Sequence, residues 1–267
     1  MRNILNLTIF KQALIFASYL LLASLPTKAD SISELNIALN KLSEKSRLVA
    51  KANVQLVKTE GEGKEAEQKN GRADVVIEAS ELGIKVTYAP ETLKQLAVEQ
   101  AAFESQNNAS IKTDTLAAVS AINADYLQNM TDASQYLSRK LVHATFINEQ
   151  ADTLQGRPAR LLIFNLRKGN LSKKEQAYVK KYEGVLKVWT SEYGTPLASH
   201  IDETYTGRAY LVVSFKVSQT ENAVYSVANK RLVATHYETL NKSAGGGELS
   251  TVKIIRTLEL QSLELKP

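Results

Sequence analysis

A chain of 267 residues with 33 Lys and Arg against 28 Asp and Glu has a formal net charge of +5 at pH 7 and no cysteine. Arg2, Lys11 and Lys28 fall in the first 29 residues, which hold no acid, so Asp30–Pro267 carries only +2. That near balance gives no electrostatic case for nucleic acid, and the missing cysteines exclude disulfides, thiolate catalysis and cysteine-ligated zinc.

Residues 1–29 have the order of a secretory signal peptide: basic residues, the apolar run 13–25, then Thr27-Lys28-Ala29 before Asp30. The run is shorter than the roughly 20 residues a spanning helix needs. Cleavage is expected after Ala29. That places a single α+β domain of residues 30–267 in the periplasm or outside the cell, with no membrane span and no lipid-bearing cysteine.

The mature part opens on Ser31-Ile32-Ser33-Glu34, a capping-box pattern, and Ile32, Leu35, Leu39 and Leu42 continue at helical spacing to about Arg47. From Leu48 the period is two: Leu48, Ala50, Ala52, Val54 and Leu56 share one face of a strand. The charged stretch 60–70 predicts an exposed hairpin tip or loop. Strands follow over 73–79 and 82–88. Pro90-Glu91 opens a helix to about Gln106, and Leu116, Val119, Ile122, Tyr126, Met130, Ala133 and Leu137 mark one amphipathic, core-facing helix over 113–137.

After Leu141 the pattern is strand, over 141–147, 159–166, 184–190, 197–204, 208–217, 223–228, 231–240 and 250–261. Only a helix over 172–182, entered by the capping box Ser172–Glu175, interrupts it. Short connections favour antiparallel pairing. The expected fold is therefore a large, curved antiparallel sheet with the helices of the first half packed on one face. Asn70-Gly71-Arg72, Gln155-Gly156-Arg157 and Thr206-Gly207-Arg208 each precede an apolar stretch and read as turns entering strands, with their arginines free to share one rim.

Little here points to chemistry. His200 and Asp202, and His236 and Glu238, are spaced i, i+2, so on strands each pair shares a face. Were those strands neighbours, the four could hold a metal ion; nothing in the sequence makes them so, and no metal or cofactor is expected. There is no G-x-S-x-G and no H-E-x-x-H, and Gly245-Gly246-Gly247 lacks the Lys and Ser/Thr of a phosphate-binding loop, so it reads as a flexible hairpin loop. No catalytic residue is nominated. More telling are Leu161–Phe164 and Tyr210–Val213, where consecutive large apolar residues point to both faces of a strand. Both faces need cover, either from a second layer or from an apolar ligand.

Three segments carry a resemblance: Gln155-Gly156-Arg157-Pro158-Ala159-Arg160, Gly184–Trp189, and Tyr193-Gly194-Thr195-Pro196-Leu197. This succession of a Gly-Arg strand entry, a strand ending in Trp and a Gly-x-Pro-Leu turn resembles periplasmic proteins of the lipoprotein-carrier superfamily, including the RseB-type sensors. The resemblance implies a strongly curved antiparallel sheet with helices on its concave side, and binding of acyl chains or related envelope ligands.

The resulting expectation is a non-enzymatic periplasmic binding protein with an apolar groove for a lipid or acyl group. Trp189, Leu211, Val213 and Phe215 are the candidate lining residues. The alternative is a structural or interaction module of the cell envelope that binds a protein partner through its loops or edge strands.

Overall fold

The computed structural model describes residues 28–62, 66–105, 113–209 and 213–261. The first half of the chain runs α1 (Lys28–Lys41), β1 (Leu48–Glu60), β2 (Glu67–Ser80), β3 (Gly83–Tyr88), α2 (Pro90–Glu104), α3 (Asp114–Ser120), α4 (Ala124–Thr131) and α5 (Ala133–Val142). The second runs β4 (Ala144–Leu154), β5 (Arg157–Leu166), α6 (Lys173–Tyr178), β6 (Val179–Thr190), β7 (Pro196–Ala209), β8 (Val213–Ala228), β9 (Arg231–Gly245) and β10 (Glu248–Leu260). All ten strands form one sheet in the order β3-β2-β1-β10-β9-β8-β7-β6-β5-β4. Every pairing is antiparallel, so the α+β class with a large antiparallel sheet holds.

The first and last strands meet in the middle, β1 beside β10, while β3 and β4 are the two edges. The segment α2–α5 leaves the sheet at one edge and re-enters at the other. On the way α3 packs on β2, α4 on β9 and β3, and α5 on β9, β4 and α1. The side chains they meet are those of period two: Ala52, Val75, Leu162, Leu186 and Ile201 are buried while their neighbours Lys51, Asp74 and Asp202 are exposed. This buried side is the inner face. Leu35 and Leu39 of α1, Leu127 and Met130 of α4 and Leu137 of α5 complete a single cluster with it. Each such side chain contributes about 1.5–3 kcal/mol on burial.

Several boundaries differ from the expectations, each for a physical reason. α1 begins at Lys28, and Ser31 does not cap it: the buried Ser31 hydroxyl donates to Glu149 at 2.5 Å and Glu34 pairs with Arg160. The pattern of a capping box is here spent on tying α1 to β4 and β5. The single helix expected over 113–137 is three. Breaks at Ala121–Asn123 and Asp132 let the chain turn, with the Asn123 side chain capping α4 at the Asp125 N–H. α2 packs chiefly on α3 and stays largely exposed, so it does not cover the sheet as expected. α6 is shorter than expected but does have the Ser172–Glu175 capping box.

The three Gly-Arg segments are not equivalent, and their arginines do not share a rim. Gln155-Gly156 is a true two-residue hairpin turn, with φ of 52° and 77°. Gly71 and Gly207 lie inside continuous strands and are there for close approach. A Cβ on Gly71 would come within 2.8 Å of the Asp114 carbonyl and the Ala118 N–H of α3, and one on Gly207 within 2.5 Å of the Phe215 ring. Of the strand expected at 208–217, Arg208 and Ala209 end β7, 210–212 lie outside the described residues, and Val213–Val217 continue through polar Ser218–Asn222 into the strand expected at 223–228 as one strand, β8.

Candidate functional site

The unbroken period of β8 places Phe215, Val217, Gln219, Glu221, Ala223 and Tyr225 on the inner face, so two polar residues enter the interior between apolar ones. The register carries this polar row across the sheet. Glu203 of β7 stands opposite Gln219, Thr239 of β9 opposite Glu221, and Arg256 of β10 opposite Tyr237. Glu203, Glu221, Thr239 and Arg256 are all buried, Arg256 to 1% exposure.

Burial of these groups requires partners, and the fold supplies them. Glu221 accepts from the Tyr136 hydroxyl of α5, from the Tyr237 hydroxyl at 2.7 Å and from the Gln219 amide at 2.7 Å. Glu203 accepts from the Tyr182 hydroxyl at 2.7 Å and faces the Lys140 ammonium at 3.5 Å. Burial first, and then the Glu221 charge, push the Tyr136 and Tyr237 hydroxyls well above the ordinary phenol range, so both remain neutral donors. Burial likewise raises Tyr205 to about 12.

Arg256 is different. Its guanidinium donates to the Ala121 carbonyl at the end of α3 at 3.2 Å, reaches Thr239 Oγ1 at 3.5 Å and lies 4.2 Å over the Tyr126 ring. Its Nε has no partner, and no carboxylate lies within ion-pair distance of it among the described residues. Burial lowers its pKa, yet a guanidinium stays charged throughout the physiological range. A buried cation compensated by a ring, a carbonyl and a hydroxyl is short of negative charge.

Beyond this polar row, toward the β6–β7–β8 end of the sheet where β8 begins, the inner face is mixed and only partly buried, with apolar side chains set among Lys58, Asn241, Ser243 and Ser250. Leu56 of β1 lies opposite Ile254 of β10, and Val252 is two residues further on. None of the three belongs to the main core or to the small distal cluster of Leu171, Val179 and Tyr205, which Phe215 and Val217 flank. This stretch of the inner face, termed the trough, thus holds two apolar patches, Leu56, Val252 and Ile254 on β1 and β10 and Val217 and Phe215 on β8, with Asn241 and Ser243 of β9 between them and Arg256 and Glu221 on the core side.

The sequence-derived lining residues are only partly brought together. Phe215 and Val213 occupy this end of β8, Val213 at its exposed start. Leu211 lies outside the described residues. Trp189 points to the outer face, where its indole N–H donates to Asp152 at 2.8 Å. It pairs with Ala198, which pairs with Val224, nine residues along β8 from Phe215 and so about 30 Å away. His200, Asp202, His236 and Glu238 all face outward but do not converge. β8 runs between β7 and β9, His200 bonds Asn222 at 2.8 Å, and Glu238 pairs with Lys253 at 3.2 Å. Among the described residues no three His, Asp or Glu side chains are grouped to hold a metal ion, and no helix is long and apolar enough to cross a membrane.

A further hollow of about 740 Å³ lies over β10, β1, β2 and β3. Its lining sets the polar side chains Lys51, Asn53, Asp74, Thr257 and Glu259 beside the apolar Val76, Tyr88, Ala89 and Pro90. The polar row escaped sequence reasoning because Ser218–Asn222 resembles a loop. The signal that exposes it is the phase of the alternation, which Phe215 and Val217 hand on unchanged to Ala223 and Tyr225. Protein-family models, the sequences of characterised proteins and solved structures give no significant match to this chain.

Proposed function

We propose that this protein is an exported, non-enzymatic binding protein of the cell envelope. In this reading its sheet is curved and its helices pack on one face, as in the lipoprotein-carrier superfamily it resembles, and the inner-face trough holds a lipid or acyl group. One observation carries the proposal: the partly buried apolar patch of Leu56, Val252 and Ile254, with Val217 and Phe215 across β9, stands beside Arg256, a buried cation without a carboxylate partner among the described residues. An amphiphile with an acidic head complements both at once, its chain along the patch and its head toward Arg256. Glu221 and Glu203 are already engaged by tyrosine and lysine donors, which supports a binding role for the site.

Native mass spectrometry of protein recovered from the periplasm is expected to show an acyl-bearing species, and a fluorescent fatty-acid probe is expected to bind. Ile254→Asp should weaken the probe at least about tenfold, the scale of ~1.4 kcal/mol. Arg256→Met should weaken a fatty acid more than the alcohol of the same chain length. Recovery of apo protein alone, together with no probe binding, would sink the proposal.

A second reading, an interaction module for an envelope protein, is favoured by α2. It packs chiefly on α3 and leaves Leu93, Val98 and Phe103 exposed at 54%, 61% and 71%. A partner that co-purifies with the wild type and is lost on Val98→Asp with Phe103→Asp would select it.

A further inference from the structure

The small net charge conceals a strongly asymmetric distribution. From Arg167 to Lys181 the chain has six basic residues, Arg167, Lys168, Lys173, Lys174, Lys180 and Lys181, and one acid, Glu175. That acid is already engaged, since its carboxylate accepts from the Ser172 N–H in the capping box. Antiparallel pairing then adds cations from distant sequence. β6 begins where β7 ends and β8 starts, so Lys180 and Lys181 meet Arg208 and Lys216 at one end of the sheet.

These four cations line a hollow of about 570 Å³ whose lining, among the described residues, contains no carboxylate. None of the four forms an ion pair among the described residues. The opposite wall is the hairpin turn Gly246-Gly247, with φ of 63° and 85°. A Cβ on Gly247 would meet nothing within 4 Å, so this wall is bare backbone open to an approaching group. Lys242 lines an adjoining hollow of about 350 Å³ that shares Lys216. Tyr178 and Val213 stand among the cations, 40% and 38% exposed. Of the acidic groups at this end, Glu62 lines that adjoining hollow, Glu248 stands opposite Gly245, and Glu60 and Glu67 pair at the β1–β2 tip.

We infer that this end of the sheet docks on an anionic phospholipid bilayer, with headgroup phosphates entering the hollow lined by Lys180, Lys181, Arg208 and Lys216. Unpaired cations lining a hollow without a carboxylate suit phosphate oxygens. The half-exposed Tyr and Val beside them suit the interfacial layer, where an aromatic ring with a polar tip resides. A nucleic-acid groove, by contrast, needs several stacking aromatics beside its cations, and among the described residues Tyr178 and Phe215 alone are near. The inference rests on charge and exposure alone and stands whether or not the trough holds an acyl group.

The test is co-sedimentation of the purified protein with vesicles of phosphatidylcholine, with and without phosphatidylglycerol, at fixed ionic strength. Binding is expected only with phosphatidylglycerol and should fall steeply with added salt. A cation near such a surface is worth about fivefold in affinity, ~1 kcal/mol. The variant Lys180→Gln, Lys181→Gln, Arg208→Gln, Lys216→Gln should therefore lose on the order of a hundredfold or more. A control with the same charge change at exposed cations elsewhere, Lys51→Gln, Lys85→Gln, Lys94→Gln, Lys230→Gln, should lose less than about threefold. Equal loss in both variants would overturn the inference, because net charge alone would then explain binding. So would equal binding to both vesicle types, or tighter binding to a short DNA duplex than to the anionic vesicles. Unchanged thermal unfolding of the exposed-site variants separates loss of docking from loss of fold.

Discussion

Leu186, Ile201 and Leu232, on the inner face of β6, β7 and β9, are sealed to 1% exposure or less against Leu35, Leu127 and Leu137. On the same face, past the row of Glu203, Glu221 and Arg256, Leu56, Val252 and Ile254 are equally apolar yet half-exposed. The strand pattern is the same in both places. What differs is the cover: α1, α4 and α5 fill the first region, whereas the second is bordered by α3, which packs on β2 at Gly71 opposite Leu56, and by the small cluster around Leu171. Apolar residues left uncovered at native density forfeit contacts that a ligand could restore.

The largest expected effect tests that contrast directly. Leu186→Ala should cost about 2–5 kcal/mol, since the site is fully buried and surrounded by packed neighbours. Ile254→Ala should cost less, about 1–2 kcal/mol, because Ile254 is only partly buried and belongs to neither packed cluster. Urea denaturation measures both, and equal costs would abolish the distinction between core and trough.

The polar row that separates the regions comes next. Glu221→Ala leaves the Tyr136 and Tyr237 hydroxyls without their acceptor, at about 1–3 kcal/mol for each buried donor so stranded. Adding Tyr136→Phe and Tyr237→Phe should recover a substantial part of the loss, and no recovery would show that the three do not act together. The same phenols set an alkaline limit. Their pKa values are raised in the folded chain, so the stabilisation is fully present below the ordinary phenol value of about 10 and is lost as pH rises through the folded values. Ultraviolet titration of the 11 tyrosines should show at least these two ionising only as the protein unfolds.

How much of this was legible follows from the kind of signal each feature leaves. The long alternation of Leu48–Leu56 and of Ala73–Ala79 specified strands, and the Ser172–Glu175 box marked the start of α6, because local chemistry decides both. Gly71 and Gly207 read as turns because a glycine needed for close approach looks, in sequence, like a glycine needed for positive φ. The Ser31–Glu34 pattern was a sound local motif overruled by tertiary partners, Glu149 and Arg160. Arg256 and the lysines around Arg208 are meaningful only through strand register, which brings together residues far apart in the chain.

Gly71 offers the next test, since it sits where α3 crosses β2. Gly71→Ala places a methyl group 2.8 Å from backbone atoms of Asp114 and Ala118, which must move. The cost should be about 1–3 kcal/mol, and a neutral result would mean that α3 is not held against the strand.

The smallest effect is spectroscopic and decides where a ligand lies. Trp189 is the only tryptophan and its indole N–H donates to Asp152 on the outer face of the well-packed region. That bond, ahead of the Thr153 N–H, holds the Asp152 carboxyl below the ordinary aspartate range. Its contribution to stability is therefore present above the ordinary value of about 3.9 and is lost as pH falls through the lower folded one. Tryptophan emission should stay constant through the ordinary range and shift only below it, and Asp152→Asn should remove the step. With the reporter so assigned, a fatty-acid titration separates the two placements of the groove. An acyl chain in the trough of Leu56, Val252 and Ile254 lies on the other face and leaves the emission unchanged. A chain lining up along Trp189 displaces the Asp152 bond and shifts it, and that shift would move the binding site from the inner face to the outer.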